Sequence, residues 1–313
     1  MYKLIRLISN NRLATVFFVH FLLILPKELI LFACKISGWL LAFFALNLKK
    51  RVISNIREIF PKQFNNKELK AFCQDYFQNL LLTLVEILIY SRDIDKLDHL
   101  IEVEGQDNLE EALKLGRGVI LYAPHVSNFF YYYYYVSQRY PSLTVATALD
   151  EDLHHLYLIF HRLGCQGLDY DSTNKREMLK QIKSHLAQNG VLLLYGDFWR
   201  KEFPQSVMFG KSTRLPSGTA ALSLDLEVPV IPFFGFRTKN FQHKIVFQEP
   251  IYLFNLYARE QKSEATIFLN GFLEKIIGKV SSQWFYWFNC DERWESKSTN
   301  RRDKHPVTNC NQK

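Results

Sequence analysis

Residues 116–130, GRGVILYAPHVSNFF, decide how the rest of the chain folds. The apolar run 119–122, bounded by a glycine and a proline, predicts a short buried strand. His125 follows it, and then come Ser127 and Asn128, two residue types that commonly begin helices. A histidine at such a strand-to-helix turn lies where open α/β sheets bind ligands, and the helix N-terminus favours a neutral imidazole. His125 is therefore the leading candidate for a catalytic base, with a structural core histidine as the alternative.

The pattern on either side of this stretch predicts an α/β fold. Short, continuously apolar strands alternate with helical stretches from residue 100 onward, which is typical of a mainly parallel sheet covered by helices on both faces. Five consecutive tyrosines, 131–135, cover more than one helical turn, so some are expected to face the core and others solvent or lipid. The predicted strands are 101–105, 119–124, 143–149, 191–197, 228–236 and 244–253, and the predicted helices are 108–116, 127–139, 150–162 and 174–188.

Composition narrows the class of protein. The 313 residues are 48 % hydrophobic, enough for a substantial core, and unusually rich in Phe and Tyr. A net charge of +8 favours an anionic partner, and no nucleic-acid motif accompanies it, so an anionic lipid or an acidic carrier protein is expected and nucleic acid is not. The five cysteines have no metal-ligand spacing, which indicates a reduced, cytosol-facing protein without a structural metal.

The N-terminal region, residues 1–48, predicts membrane association through apolar helices. Residues 13–25 are too short to span a bilayer easily, and residues 29–46 reach that length only by tolerating Lys35. Basic residues precede and follow the two apolar segments. Because such residues are enriched on the cytoplasmic side of membranes, they are expected on the cytoplasmic side of an inner membrane. No cleavage site for a signal peptide follows the first segment, and a pair of buried core helices is the alternative.

Three further regions complete the predicted organisation. Residues 49–99 form a helical linker, in which apolar residues from 69 to 88 recur at helical spacing. Glu86 lies in this helix, and a charge there needs no functional explanation. Residues 100–294 form the α/β domain, and the polar tail 295–313 is expected to be disordered.

Several motifs together resemble the lysophospholipid acyltransferase superfamily, in particular the lauroyl and myristoyl acyltransferases of bacterial lipid A biosynthesis. In that family a G-x-G-V-I strand is followed by H-x-G-N-W-E, and here His125 and Asn128 fall on the matching positions. Phe130 stands where the family has Asp or Glu. The resemblance spans about residues 40 to 294 and implies a glycerolipid acyltransferase-like fold.

Other family positions match along the chain. Residues 207–223 resemble V-x-F-F-G…G-x-A-x-L-A, and residues 283–294 resemble Q-W-x-W-x-H-x-R-W with Asn289 in place of the histidine. Asp197 ends an apolar strand where the family has an acid, with a helix-cap or turn aspartate as the alternative. The resemblance, together with cations near a small-residue helix start, implies substrate-binding roles for Asn128, Arg200, Phe209, Gly210, Arg214, Gly218 and Arg237, with Lys211 nearby.

The resemblance also implies the reaction. A fatty acyl chain passes from an acyl thioester of acyl carrier protein or coenzyme A to a hydroxyl of a lipid or glycolipid at the membrane surface, with no cofactor. His125 takes the proton from that hydroxyl, and the family acid orients the imidazole. Phe130 cannot accept a hydrogen bond, so Asp197 is the first substitute candidate and Asp150 the second. Two alternatives remain open: an inactive homologue that binds lipid or a partner enzyme, and an unrelated membrane scaffold.

Overall fold

The computed structural model describes residues 21–22, 24–90, 99–147, 161 and 163–295. Within these residues a seven-stranded sheet lies between layers of helices, and a separate two-stranded hairpin precedes the helix at residue 218. The helices are α1 Lys27–Phe44, α2 Leu46–Ile59, α3 Asn66–Tyr90, α4 Gln106–Leu113, α5 Phe129–Ser137, α6 Lys175–Ala187, α7 Gly218–Leu226 and α8 Lys262–Lys279.

The sheet has the mainly parallel character that the sequence predicts. In the order β1-β9-β8-β2-β5-β3-β4, every neighbouring pair is parallel except β8 and β9. The expected α/β fold is thus confirmed. The strands are β1 Ile101–Glu104, β2 Val119–Ala123, β3 Ser142–Ala146, β4 Gly167–Asp169, β5 Val191–Tyr195, β8 Val230–Lys239 and β9 Gln242–Phe247, and the hairpin consists of β6 Gln205–Met208 and β7 Lys211–Arg214.

Strand β2 lies at the centre of the sheet, and its side chains alternate between two cores. Ile120 and Tyr122 belong to the core under α6, α7 and α8, whereas Val119 and Leu121 belong to the core under α4 and α5. All of these side chains are buried. A strand buried on both faces needs an unbroken apolar run, which is why β2 is recognisable in the sequence.

Helix α1 packs on α3 through one stripe of small and apolar residues. Ile30, Cys34, Gly38 and Ala42 are its buried residues, spaced every four positions. A Cβ atom at Gly38 would lie 3.0 Å from the backbone nitrogen of Gln78, so glycine allows the two helices to approach closely.

The opposite side of α1 exposes large apolar side chains, among them Phe32 at 59 %, Trp39 at 50 % and Phe44 at 72 %. No single helix in the described part of the chain is both long and apolar enough to cross a bilayer. Helices α1 and α2 meet that test only as a pair, and the chain bends by 89° between them. The membrane-associating role of residues 1–48 therefore stays a prediction, as do the other domain boundaries.

The five tyrosines of α5 correct one expectation: all are buried, and none faces solvent. Four of their hydroxyl groups make hydrogen bonds inside the protein, which offsets the cost of burying a phenol. Tyr131 donates to the carbonyl oxygen of Glu86 at 2.5 Å, and Tyr135 donates to Gln106 at 3.0 Å. The helix therefore lies between the sheet and α3–α4 as a core element.

Other predicted elements differ in extent or lie outside the described residues. Strand β4 and the β6–β7 hairpin were not predicted, because their three or four residues show little apolar alternation. The predicted helix 150–162 falls on residues that are outside the described part except for residue 161, and the predicted disordered tail is outside it beyond residue 295.

Packing of the tyrosine layer on the sheet leads to a stability prediction. A Cβ atom at Gly235 in β8 would lie 2.5 Å from the ring of Tyr132. We expect Gly235→Ala to destabilise the protein by about 1–3 kcal/mol, the usual cost of overpacking a core. In the matched control, Gly271→Ala in α8, no atom lies within 4 Å of the added Cβ, and the helix should gain about 0.5–1 kcal/mol. Denaturant unfolding measures both changes, and equal stability of the two variants would contradict this packing.

Candidate active site

The central feature of the site is a direct contact between His125 and Asp197. The Nδ1 atom of His125 lies 2.6 Å from Oδ1 of Asp197. The backbone N–H of His125 donates to Oδ2 of the same carboxylate at 2.9 Å. The carboxylate thus fixes both the imidazole and the chain that carries it.

Strand register explains why two residues 72 positions apart in sequence meet. In the parallel pair β2 and β5, Ala123 lies opposite Tyr195. His125 and Asp197 each come two residues later, so both emerge at the carboxyl edge of the sheet. The turn before Asp197 requires Gly196, because a Cβ atom there would lie 2.0 Å from the ring of Tyr122.

Asp197 is fully buried and remains ionised because of its donors. Burial by itself would raise the pKa of this carboxyl group, but the His125 imidazole, the charge of Arg293 and the indole N–H of Trp284 together hold the pKa below its ordinary value. Trp284 Nε1 donates to Oδ2 at 2.8 Å, and Arg293 donates to the backbone carbonyl of Asp197. An ionised acceptor at Nδ1 favours the tautomer with the proton on that nitrogen and the lone pair on Nε2.

Aromatic rings surround the imidazole. The His125 ring stacks on Tyr195 with centroids 4.3 Å apart, and the rings of Phe129 and Tyr286 meet it edge-on at 4.7 and 5.1 Å. The His125 side chain is only 13 % exposed. These contacts restrict the imidazole to one orientation, which a general base requires.

The His125 ring borders a cavity of about 800 Å³. The cavity wall is mostly apolar and comes from two groups of helices, with His125 and Phe129 in the same wall. Its size and lining are typical of a site for a largely hydrophobic ligand. The lining includes Leu41, Leu48, Leu80 and Leu84 from α1–α3, and Met178, Leu179, Ile182, Ala221 and Leu222 from α6 and α7.

Phe130, at the position of the family acid, lines this cavity and stacks on Phe129 with centroids 4.4 Å apart. The carboxylate beside the imidazole is that of Asp197, the first substitute that the sequence offered. Asp150, the second, lies outside the described residues. Position 130 therefore contributes to the apolar wall of the cavity.

Two predicted substrate-binding residues, Asn128 and Arg237, lie in a buried polar cluster on the other side of the loop that carries His125. Both donate to the carboxylate of Glu86. His243 is the fourth member, with Nε2 at 2.8 Å from Glu86 Oε1. Burial alone would raise the pKa of Glu86, but Arg237 and His243 lower it to about 2. The sequence assigns Glu86 to architecture and does not single out His243. The available signals are a charged residue inside the apolar run of α3 and a position where the resembling family often has a glutamate.

Three predicted cations, Arg200, Lys211 and Arg214, are paired with acids and do not line the cavity. Arg200 binds Asp171 through both terminal nitrogens at 2.6 and 2.9 Å. Arg214 pairs with Glu295 and Lys211 with Glu58, each at 3.1 Å. The roles of these residues in substrate binding stay predictions.

The remaining predicted residues form turns. Phe209 and Gly210 make the tip of the β6–β7 hairpin, with φ values of 52° and 66°. The ring centroids of Phe209 and Trp284 are 6.0 Å apart. Phe209 therefore packs against a residue that contacts Asp197. Gly218 begins α7 and lines the cavity, the only predicted substrate-binding residue that does so within the described chain.

The C-terminal aromatic segment closes the site from behind. Trp284 and Trp287 are fully buried and meet at right angles with centroids 4.9 Å apart. The backbone N–H of Phe285 donates to the carbonyl of His125 at 2.9 Å. The segment therefore binds the loop that carries His125 directly through its backbone, and it also binds Asp197, which contacts His125.

Comparison with known proteins shows what this chain is similar to. A stretch of 145 residues is 29 % identical to the phosphatidylinositol mannoside acyltransferase of Mycolicibacterium smegmatis (strain ATCC 700084 / mc(2)155). This stretch covers 45 % of this chain and 47 % of that protein. The chain thus matches about half the length of that curated relative. Residues 6–295 match the family described as bacterial lipid A biosynthesis acyltransferase. Because this match covers nearly the whole chain, the protein belongs to the bacterial lipid A biosynthesis acyltransferase family.

Proposed function

We propose that this protein is a membrane-associated acyltransferase that moves a fatty acyl chain from an acyl thioester to a hydroxyl of a lipid or glycolipid, with His125 as the general base. The observation that carries the proposal is the contact between His125 Nδ1 and the ionised Asp197, in the wall of a large apolar cavity. Acyl carrier protein or coenzyme A supplies the thioester. The related Mycolicibacterium protein, named a phosphatidylinositol mannoside acyltransferase, supports a glycolipid acceptor.

The chemistry follows from the orientation of the imidazole. Nε2 accepts the proton of the acceptor hydroxyl while the oxygen forms a bond to the thioester carbonyl carbon. The carbon–sulfur bond then breaks, the thiolate leaves with the electron pair, and the proton returns from Nε2 to sulfur. Asp197 stays ionised and stabilises the transient imidazolium, as the aspartate does in a serine-protease triad. No covalent enzyme intermediate is required.

An inactive homologue that only binds lipid or a partner enzyme is the second candidate, and the loss of the family acid at Phe130 is the observation that favours it. The presence of another carboxylate at 2.6 Å from His125 supports the active enzyme instead.

The apolar cavity is proposed as the site of the acyl chain, and exposed apolar residues of α1 as the membrane contact. Leu29, Phe32, Trp39, Phe43 and Phe44 are each 47 % or more exposed on one helix. A helix with such a face binds the membrane interface by burying it among lipid chains. We place this contact on the cytoplasmic side of the inner membrane, because basic residues follow the apolar segments.

The catalytic pair predicts distinct effects of two substitutions. His125→Ala should abolish acyl transfer, because the base is lost. Asp197→Asn should lower kcat by about 10³- to 10⁴-fold with a smaller effect on KM, since the carboxylate acts on the charged transition state. Thioester consumption and acylated product are measured with acyl carrier protein and coenzyme A donors and a panel of lipid acceptors.

Asp107→Asn at the exposed start of α4 is the matched control and should retain full activity. Transfer that survives His125→Ala unchanged would refute the mechanism. A folded wild-type protein that transfers no acyl group with any donor and acceptor would favour the inactive homologue.

The cavity predicts a dependence on chain length. Ala221 lines the cavity on α7, and Ala221→Trp should shift the preferred donor toward shorter acyl chains. Each methylene excluded from the apolar wall loses about 0.8 kcal/mol of burial. Ala187→Trp on the exposed end of α6 is the control. Rates measured with thioesters of increasing chain length should change only for Ala221→Trp, and an unchanged preference would place the acyl chain elsewhere.

The apolar face of α1 predicts membrane binding that resists salt. The wild-type protein should float with anionic vesicles at high ionic strength, because burial of apolar side chains is not screened. Changing both Trp39 and Phe43 to Ser should release it, whereas Leu115→Ser, at a residue with a similar 46 % exposure near α4, should not. Wild-type protein that stays in solution without vesicle binding would contradict the proposal.

A further inference from the structure

Glu86 is a fully buried carboxylate that joins three separate parts of the fold. Its Oε1 atom binds His243 Nε2 at 2.8 Å, and Oε2 accepts hydrogen bonds from Arg237 at 3.0 Å and from Asn128 at 2.9 Å. Arg237 also reaches Oε1 through its other terminal nitrogen. The donors come from β8, β9 and the loop that carries His125, whereas Glu86 itself belongs to α3.

The same cluster holds the first turn of α5. Tyr131 donates its hydroxyl to the Glu86 carbonyl at 2.5 Å, and Tyr132 contacts His243 Nδ1 at 2.9 Å. Burial lowers the pKa of His243, so its ring is neutral: Nε2 donates to Glu86, and Nδ1 accepts from Tyr132. Asn128, Tyr131 and Tyr132 thus fix the helix directly after the catalytic loop.

A second chain of hydrogen bonds leads from Arg237 back to the catalytic loop. The backbone N–H and carbonyl of Arg237 bind the side-chain amide of Gln283 at 2.8 and 2.9 Å. The carbonyl of Gln283 accepts the N–H of Ser127 at 2.8 Å. Ser127 has a φ of 49°, a left-handed conformation that a non-glycine residue keeps only when its surroundings enforce it. The loop is therefore held at two consecutive residues, Ser127 and Asn128.

We propose that Glu86, Arg237 and His243 are positioning residues that act through Asn128 to hold the catalytic loop, so that the His125 imidazole stays aligned between Asp197 and the substrate. This role rests on the proposed function and assigns Asn128 and Arg237 to orientation of the base. Stability alone does not require a hydrogen bond between the central carboxylate and Asn128, which lies three positions after His125. Two supports then act on the loop, Asp197 on one side and the Glu86 cluster on the other.

Asn128→Ala tests this role, because it removes the link and leaves Glu86, Arg237 and His243 paired. We expect kcat to fall about 10- to 100-fold, as for a small misplacement of a catalytic group, with KM changed less than about twofold. Asn108→Ala is the matched control: Asn108 in α4 donates its amide to a backbone carbonyl, that of Phe247, at 3.1 Å, and it touches neither the loop that carries His125 nor the cavity. It should lose a similar amount of stability and keep kcat.

A second readout does not depend on turnover. The imidazole ¹⁵N shifts of His125, assigned by comparison with His125→Ala, report the proton on Nδ1 and its bond to Asp197. Asn128→Ala should change them and Asn108→Ala should not. If Asn128→Ala fails to fold, Tyr131→Phe removes another tie to Glu86 without leaving a cavity and should give a smaller change in the same direction.

The outcomes separate the inference from the proposed function. An active wild type whose kcat and His125 shifts are unaffected by Asn128→Ala, or by Tyr131→Phe when that variant is the one that folds, would overturn the positioning role alone. Equal losses of kcat in the Asn128 and Asn108 variants would show that the cluster has only a structural role and would also overturn the proposal. An inactive wild type whose His125 shifts still respond to Asn128→Ala would support the positioning role and refute the acyltransferase proposal.

Discussion

The buried charge of Asp197 is the constraint on which the rest of the site depends. An ionised carboxylate without solvent must be surrounded by donors, and here they come from two parts of the chain. The loop after β2 supplies the backbone N–H and imidazole of His125, and the C-terminal segment supplies the indole N–H of Trp284 and the nearby charge of Arg293. Satisfying this one group therefore positions His125, packs the C-terminal segment behind it and favours one tautomer of the imidazole.

Much of this arrangement is predictable from local sequence. The apolar runs of β2 and β5 identify central strands, and a polar residue two positions beyond each run must appear at the same sheet edge. The sequence therefore offers His125 as the candidate base and, with the family resemblance, Asp197 as the first candidate acid, and the structure brings the two side chains together. Asn174, whose side chain accepts the N–H of Arg176, likewise marked the start of α6.

The parts that sequence reasoning missed depend on contacts between distant residues. Glu86 and His243 are 157 positions apart, and no local pattern distinguishes a charge at a helix edge from one that meets three donors in the core. The tyrosines of α5 were expected to divide between core and solvent, because helical periodicity assumes one exposed face. Helix α5 instead lies between other elements, and its hydroxyl groups bind Glu86, His243 and Gln106.

The equal offset of His125 and Asp197 from their strands has a consequence for how such proteins diverge. The pair is specified by the register of β2 against β5, so its geometry does not require an acid five positions after the histidine. A sequence signature that requires an acid at that position therefore does not detect a chain with phenylalanine there. Relatives of this kind are better sought by the paired strand ends, a histidine after one and a carboxylate after its neighbour at the same offset.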